Sequence, residues 1–294
     1  MIERWWLAIR PKTLPAAASP VLVGAALAFR DGGFRWGPAL AALLGAELLQ
    51  IGSNLANDVF DYERGTDAGE RLGPTRVTQS GLLSPRQVKW GMVFVFGLAA
   101  LVGLYLIFVG GWPILVLGAA AILSAIAYTG GPYPLGYYGL GDLFVFLFFG
   151  LGATAGTYYV QTGTVSPAVW GMSAAMGMLT VMILVVNNLR DIETDRKAGK
   201  KTLAVRLGIR GTRVEYVLCA VSAYLIPLVL WLIGLISPWG LLTWLSLPLA
   251  ARWVKTIYTQ TGRILNRALA GTGQLTLVYA LLFSLKIFIE RWIV

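Results

Sequence analysis

The sequence predicts an all-α protein that crosses a membrane several times, and three observations support this fold class. Hydrophobic residues make up 57% of the 294 residues, and charged residues make up 13%, about half the fraction that is usual in soluble domains. Nine stretches are long and apolar enough to be membrane-spanning helices. The Lys and Arg residues fall mainly in the gaps between those stretches. We therefore expect one integral-membrane domain over residues 1–294.

A spanning helix needs about 20 largely apolar residues, and this criterion defines the nine segments. They cover approximately residues 13–30, 36–57, 88–109, 112–129, 140–161, 166–189, 214–234, 237–253 and 269–290. The eighth segment is marginal, because it is short and contains Pro248. Pro15 and Pro20 interrupt the first segment and further spans follow it, so we interpret it as a retained anchor rather than a signal peptide.

The distribution of basic residues predicts the orientation of these segments. With the N-terminus in the cytoplasm, 20 of the 24 Lys and Arg residues lie in cytoplasmic segments, as the positive-inside rule expects. The outer side keeps Arg30, Arg35, Lys286 and Arg291. The two longest polar segments, about 58–87 and 190–213, then face the cytoplasm and hold the densest acidic clusters. We predict a multi-pass protein of the cell membrane with cytoplasmic active-site loops.

Missing residue types exclude several kinds of chemistry. The chain has no His, so it has no Ser-His-Asp triad and no His metal site. Its one Cys, Cys219, lies in an apolar run and cannot form an internal disulfide. Carboxylates, amides and a surplus of Lys and Arg remain, and carboxylate sites suit Mg²⁺ better than Zn²⁺. The net charge of +10 follows from membrane topology, so we predict no nucleic-acid partner.

Polar residues form a stripe along the end of the second predicted span. Glu47, Gln50, Asn54, Asp58 and Asp61 follow one another at gaps of 3, 4, 4 and 3 residues. Residues three or four apart share one face of a helix. An ionisable group at membrane depth costs several kcal/mol unless it meets a partner or water, so we expect this face to point into the protein.

The sixth predicted span ends in a second motif of the same kind. Asn187, Asp191 and Asp195 are spaced four residues apart and share a helix face. Two facing carboxylate clusters repel each other in low dielectric and therefore require cations. Mg²⁺ commonly takes one or two carboxylates and completes its shell with water and substrate phosphates.

Basic residues lie close to both motifs. Arg64, Arg76, Lys200 and Lys201 supply donors for phosphate oxygens. The combination predicts a Mg²⁺–diphosphate site at the membrane surface that opens into an apolar cavity. A ligand with a diphosphate head and a hydrocarbon tail fits both parts.

At these residues the sequence resembles the UbiA superfamily of intramembrane prenyltransferases. The family pattern joins an NDxxDxxxD motif to a later DxxxD motif. Asn57, Asp58 and Asp61 match the first motif, and Asp191 and Asp195 match the second.

The last position of the first motif departs from the family pattern. Gly65 stands there, and the next acidic residue is Asp67. This variant is similar to the branch of 1,4-dihydroxy-2-naphthoate polyprenyltransferases (MenA). The stretches that point to the same branch are 10–15, 76–81, 128–132, 139–142 and 187–207.

The resemblance implies a nine-helix fold around a central cavity and a particular reaction. An isoprenoid diphosphate would prenylate dihydroxynaphthoate in a Mg²⁺-dependent step with loss of CO₂ and diphosphate. Apart from these two substrates and the bilayer, it implies no obligate protein partner. The implied catalytic residues are Asp58, Asp61, Asp191 and Asp195, and the metal ligands are these four with Asn54. The implied substrate-binding residues are Arg10, Lys12, Asn57, Arg64, Asp67, Arg76, Tyr128, Asn187, Lys200 and Lys201.

Several interpretations stay open from the sequence alone. Arg10 and Lys12 either bind a substrate anion or anchor the first span on its cytoplasmic side, and Tyr128 either lines the acceptor pocket or belongs to an interfacial aromatic belt. The prenyl chain length is undetermined.

Three other functions compete with this reading. The same fold could use 4-hydroxybenzoate, homogentisate, haem or chlorophyllide as acceptor, and only the branch resemblance argues against these. A CDP-alcohol phosphotransferase lacks support, because its DGxxAR…GxxxDxxxD order is missing. A cation or proton transporter could use Glu47, Asp58 and Asp191 as a relay. Transporters, however, usually place such groups near the bilayer midplane, whereas these acids cluster at one face.

Overall fold

The computed structural model describes residues 1–66 and 72–293, and all regular secondary structure in these residues is helical. The predicted all-α fold is therefore confirmed. A π-helical turn, Phe146–Gly152, joins α6 to α7, and a 3₁₀ helix, Pro238–Ser246, leads into α10. The α-helices are α1 (Ile2–Ile9), α2 (Pro15–Arg30), α3 (Trp36–Glu63), α4 (Pro85–Gly110), α5 (Trp112–Ala127), α6 (Gly141–Val145), α7 (Ala153–Thr162), α8 (Pro167–Lys197), α9 (Leu203–Leu232), α10 (Leu247–Thr259) and α11 (Leu265–Ile293).

Judged by helix length and hydropathy, the structure has fewer membrane spans than the sequence predicts. Within the described residues, six segments are long and apolar enough to cross a membrane, or seven if the bent pair of α1 and α2 counts as one span. Helix α5 has 16 residues, fewer than the roughly 20 that a span needs. The eighth predicted span is divided between the 3₁₀ helix and α10. Helix occupies each predicted segment, but the count of nine spans is not confirmed.

A bend of 52° between α1 and α2 lies beside the polar end of α3. Arg10 ends α1 with a left-handed φ of 55°, and Pro11 follows it, so the α-helix cannot continue through this point. Ala8 is buried in a cluster with Leu55 and Val59 of α3. This contact holds α1 across the end of α3 and directs Arg10 toward the interior.

Helix α8 lies at the centre of the helix packing and is the most buried of the spans. It packs against α9, α11 and the π-helical turn, and its Met172, Met176 and Met182 are fully enclosed. Helices α4 and α5 lie at the periphery and have few buried side chains, as expected for helices that face lipid. A cavity remains between this outer pair and the central helices.

Gly150 of the π-helical turn crosses α8 at very short range. A Cβ atom at this position would lie 2.4 Å from the Cα of Gly177. Small residues allow such close approach between membrane helices. We expect Gly150→Ala to lower the free energy of unfolding by about 1–3 kcal/mol, because the helices must separate. Thermal unfolding in detergent measures this effect.

The matched control for Gly150 is Gly97→Ala on exposed α4. A Cβ there would meet nothing within 4 Å, so we expect no loss of stability. Equal unfolding temperatures for the two variants would contradict the importance of the crossing.

Candidate functional site

A cavity of about 1080 Å³ extends along α3 from Asp61 toward Ala42. Its far part is lined by apolar side chains of α3, α4 and α5, and its near part by charged and amide side chains. Ten of the residues predicted for the site line this cavity: Arg10, Asn54, Asn57, Asp61, Arg76, Tyr128, Asn187, Asp191, Asp195 and Lys200. The fold therefore joins a polar head site to an apolar chamber.

Asp61 is the centre of the polar end, and it is 2% exposed. The last turn of α3 points its carboxylate inward, where an Arg76 Nη atom lies 2.5 Å from Oδ2 and the Lys200 Nζ lies 3.3 Å from Oδ1. The Tyr137 hydroxyl donates a hydrogen bond to the same Oδ1 atom. Burial and the nearby Asp61 carboxylate raise the pKa of Tyr137, so its hydroxyl stays protonated and remains a donor.

Lys200 connects the two predicted motifs. Its Nζ atom lies 3.3 Å from Asp61 on α3 and 3.8 Å from Asp195 on α8, and 4.5 Å from the centre of the Tyr137 ring. Carboxylates from separate helices thus converge on one cation. This geometry shows that the two motifs face each other across the cavity.

Asp58 has a different environment from Asp61, although both lie on the same helix face. It is 1% exposed and accepts hydrogen bonds from the backbone amides of Val77 and Thr78, at 3.1 and 3.0 Å. An Arg10 Nη atom lies 3.7 Å from its Oδ2. These contacts tie α3 to the segment that carries Arg76, and Asp58 is not among the residues that line the cavity.

Two asparagines of α3 also hold neighbouring segments. The Asn54 amide donates to the Ile9 carbonyl at 2.9 Å and to the Thr13 hydroxyl at 3.0 Å, which fixes the bend between α1 and α2. The Asn57 side-chain oxygen Oδ1 accepts a hydrogen bond from the Thr129 hydroxyl at 3.1 Å. Both side chains line the cavity while they brace its walls.

Asp191 is held by its neighbour Arg190, which is 3% exposed. The guanidinium donates to both Asp191 carboxylate oxygens, at 2.8 and 2.5 Å, and to the side-chain oxygens of Asn187 and Asn266, each at 2.8 Å. Asn266 of α11 in turn donates to the carbonyl of Leu72 at 2.8 Å. The second motif is therefore oriented by a network that spans α8, α11 and the segment before Arg76.

The remaining predicted residues lie elsewhere. Arg64 is exposed, donates to the Gly131 carbonyl and lies 5.5 Å from the centre of the Tyr137 ring. Lys12 and Lys201 are exposed and are not among the residues that line the cavity. Asp67 lies outside the described residues.

The carboxylates do not form a closed metal cage. Within residues 1–66 and 72–293, no group of three acidic, His or Cys side chains is arranged to hold a metal ion. Asp61, Asp191 and Asp195 nevertheless line one cavity, and the Lys200 ammonium already bridges two of them. Oxygen donors in this open arrangement fit Mg²⁺, which keeps positions for water and phosphate.

The sequence did not identify three residues that shape the site. Tyr137 and Asn266 were not predicted at all, and Arg190 was predicted only as one of the basic residues of the cytoplasmic segments. Tyr137 lies in a short 3₁₀ helix, Leu135–Tyr138, between α5 and α6, and its contact with Asp61 spans 76 residues. Asn266 gave no signal at all, because its role depends on α11 packing beside α8. Arg190 stands inside the second motif directly before Asp191, and this adjacency was the one hint that the sequence offered.

Comparison with known proteins reveals similarity over nearly the whole chain. The model of the UbiA prenyltransferase family matches residues 17–263. The chain is 40% identical to 1,4-dihydroxy-2-naphthoate octaprenyltransferase from Escherichia coli strain K12, over 99% of this chain and 96% of that protein. It is 41% identical to the enzyme of the same name from Mycobacterium tuberculosis strain ATCC 25618 / H37Rv, over 95% and 94%. A solved UbiA homolog from Archaeoglobus fulgidus bound to DMAPP and Mg²⁺ has the same fold, with a TM-score of 0.70 and 14% identity over 96% of this chain and 99% of that chain.

Proposed function

The chain belongs to the UbiA prenyltransferase family, and from this we propose that it transfers a prenyl group from an isoprenoid diphosphate to 1,4-dihydroxy-2-naphthoate. The reaction releases CO₂ and diphosphate and gives a demethylmenaquinol or its phytyl counterpart. Relatives named as octaprenyltransferases for this acceptor, at 40% and 41% identity over nearly full length, support the choice of acceptor.

The observation that carries the proposal is the two-part cavity. Its polar end collects carboxylates and basic side chains, and the rest is apolar along α3, α4 and α5. A diphosphate requires the first part, and a hydrocarbon chain requires the second. The clustering of Asp61, Asp191 and Asp195 at one end argues against a proton relay through the membrane, which needs groups near the midplane.

The head site would bind the diphosphate through basic side chains and a metal. Arg76 and Lys200 line the cavity and are donors suited to phosphate oxygens. Asp61, Asp191 and Asp195 would hold Mg²⁺, which neutralises charge on the departing diphosphate. Tyr137 and Arg190 orient Asp61 and Asp191 by hydrogen bonds and so act as positioning residues.

The apolar chamber protects the reacting carbon. The bond between the allylic carbon and the diphosphate oxygen breaks with both electrons on oxygen, which leaves an allylic cation. Excluding water prevents its hydrolysis. Phe144, Phe148 and Phe149 line the cavity, and ring faces attract cations.

The acceptor completes the reaction without a strong base. The ring carbon that bears the carboxylate attacks the allylic cation and forms the new carbon–carbon bond. The carboxylate then leaves as CO₂, and its bonding electrons restore the aromatic ring. Arg10, which lines the cavity, would pair with an anionic substrate group.

We also propose the location and orientation of the enzyme. It lies in the cell membrane with its N-terminus and polar head site on the cytoplasmic side. The 20 of 24 basic residues assigned to that side support this orientation.

The test is an assay with the purified protein in lipid nanodiscs, Mg²⁺, farnesyl diphosphate and carboxyl-labelled dihydroxynaphthoate. We expect one equivalent of CO₂ for each prenylated product and loss of both signals with EDTA. Two control reactions replace the acceptor by 4-hydroxybenzoate or homogentisate. Preferred prenylation of either control acceptor, or no product from any of them, would overturn the proposed acceptor.

A further inference from the structure

The apolar part of the cavity opens toward lipid along α4 and α5, at the depth of two glycines. We propose that Gly103 and Gly118, which line this opening, determine the length of prenyl chain that the enzyme accepts. A long chain would pass these glycines and continue into the bilayer, whereas a short chain would end before it reaches them. This inference rests on the proposed function and specifies its donor substrate.

The two glycines lie at the same depth. Helices α4 and α5 form a hairpin around Gly110 and Gly111, with Gly103 seven residues before the turn and Gly118 seven residues after it. Helix α3 contributes a third glycine at this level, since a Cβ on Gly45 would lie 3.6 Å from Val102 and 3.9 Å from Leu106. All three glycines line the cavity.

The surroundings of the two glycines are open. A Cβ atom at Gly103 or Gly118 would meet nothing within 4 Å. The nearby side chains of Leu104 and Leu115 line the cavity and are nevertheless 61% and 51% exposed. Side chains that line the cavity and stay more than half accessible lie where the cavity is open, so its opening is beside these two glycines.

The outer end of the cavity, by contrast, is closed. Ile114 and Val160 line it and are 8% and 3% exposed. A Cβ on Gly110 would lie 2.7 Å from Ile114 and 3.2 Å from Val160, so these groups are in close contact. A chain longer than the cavity must therefore leave sideways, past Gly103 and Gly118.

The length of the prenyl chain, compared with the depth of the glycines in the cavity, predicts which diphosphates reach them. Gly45 lies sixteen residues before Asp61 on α3, which corresponds to about 24 Å at 1.5 Å per residue. An extended isoprene unit has four chain bonds and spans about 5 Å at ordinary bond lengths. A chain of roughly three units ends before the glycines, and one of roughly eight units extends well beyond them and exceeds the 30 Å of hydrocarbon in a bilayer.

The test compares Gly118→Phe and Gly103→Phe with the unmodified protein in nanodiscs, using farnesyl and octaprenyl diphosphate mixed in one reaction. We expect the ratio of kcat/KM for octaprenyl over farnesyl diphosphate to fall at least tenfold in both variants. The ratio is independent of how much folded enzyme each preparation contains. Gly97→Phe is the matched control, because Gly97 lies on exposed α4 outside the cavity lining and should leave the ratio unchanged.

A second readout separates this inference from the proposed function. The Kd values of both diphosphates, measured without acceptor, should show the same tenfold shift in preference. Binding with the expected shift but no transfer to dihydroxynaphthoate would contradict the proposed acceptor and support the role of the glycines. An unchanged ratio in both phenylalanine variants, or an equal change in Gly97→Phe, would overturn that role.

Discussion

Replacement of Asp61 by asparagine is expected to lower kcat/KM for prenyl transfer by about 10²- to 10³-fold, comparable to the loss of one preorganised electrostatic group in other enzymes. Asp61 is the carboxylate that Arg76, Lys200 and Tyr137 all contact. The asparagine keeps the shape but removes the charge that would hold Mg²⁺ and orient both cations. Steady-state assays of prenyl transfer from farnesyl diphosphate to dihydroxynaphthoate measure the effect.

The matched control for this variant is Glu63→Gln, two residues further along α3. Glu63 forms a partly exposed ion pair with Lys89, with a separation of 2.7 Å, and is not among the cavity-lining residues. The kcat/KM of Glu63→Gln should stay within twofold of that of the unmodified protein. If Asp61→Asn and Glu63→Gln had the same activity, Asp61 would not belong to the head site.

Replacement of Arg190 by alanine is expected to have the largest effect on stability. Its buried guanidinium satisfies both Asp191 oxygens, Asn187 and Asn266, so the variant leaves a partly buried carboxylate and two amides without their donor. Removal of one partner from a buried ion pair costs about 3–5 kcal/mol. We expect a strongly lowered unfolding temperature in detergent, together with loss of activity.

The control lies on the same helix. Arg196 pairs with Glu193 at 2.9 Å, but both side chains are more than half exposed, and such surface pairs contribute about 0–1 kcal/mol. Arg196→Ala should therefore unfold close to the unmodified protein. Arg190→Lys should be intermediate, because lysine keeps the charge without the planar fork of donors. Similar unfolding temperatures for Arg190→Ala and Arg196→Ala would show that the network does not stabilise the fold.

Local sequence patterns predicted the helices well because helix formation in a membrane depends on runs of apolar residues. Helix α3 continues six residues beyond the predicted apolar span of 36–57, to Glu63, as the helical spacing of Asp58 and Asp61 predicted. The polar stripe that contains Asp58 and Asp61 is helical, and its side chains find partners in other segments. A hydropathy profile cannot detect these partners, since it scores each residue without its tertiary contacts.

The same limit applies to the bent and short helices. The turn at Arg10 and the 16 residues of α5 depend on packing against α3, α4 and α7. A length criterion applied to the sequence treats such segments as ordinary spans. Their actual geometry creates the cavity, because short α5 and the outer part of α4 leave apolar space beside α3.

The sequence by itself determined the class of this protein, its helical segments and the two polar motifs. These properties follow from composition and from residue spacing along one helix. Only the tertiary structure decided how the acids divide: Asp58 holds the backbone of Val77 and Thr78, whereas Asp61 faces the cavity. Arg76, Val77 and Thr78 lie 15 to 20 residues further along the chain than the acid that each contacts, and Lys200 lies 139 residues from Asp61, so no local pattern distinguishes the two acids. Hydrogen bonds and burial assign each carboxylate its role, and both exist only once the helices have packed.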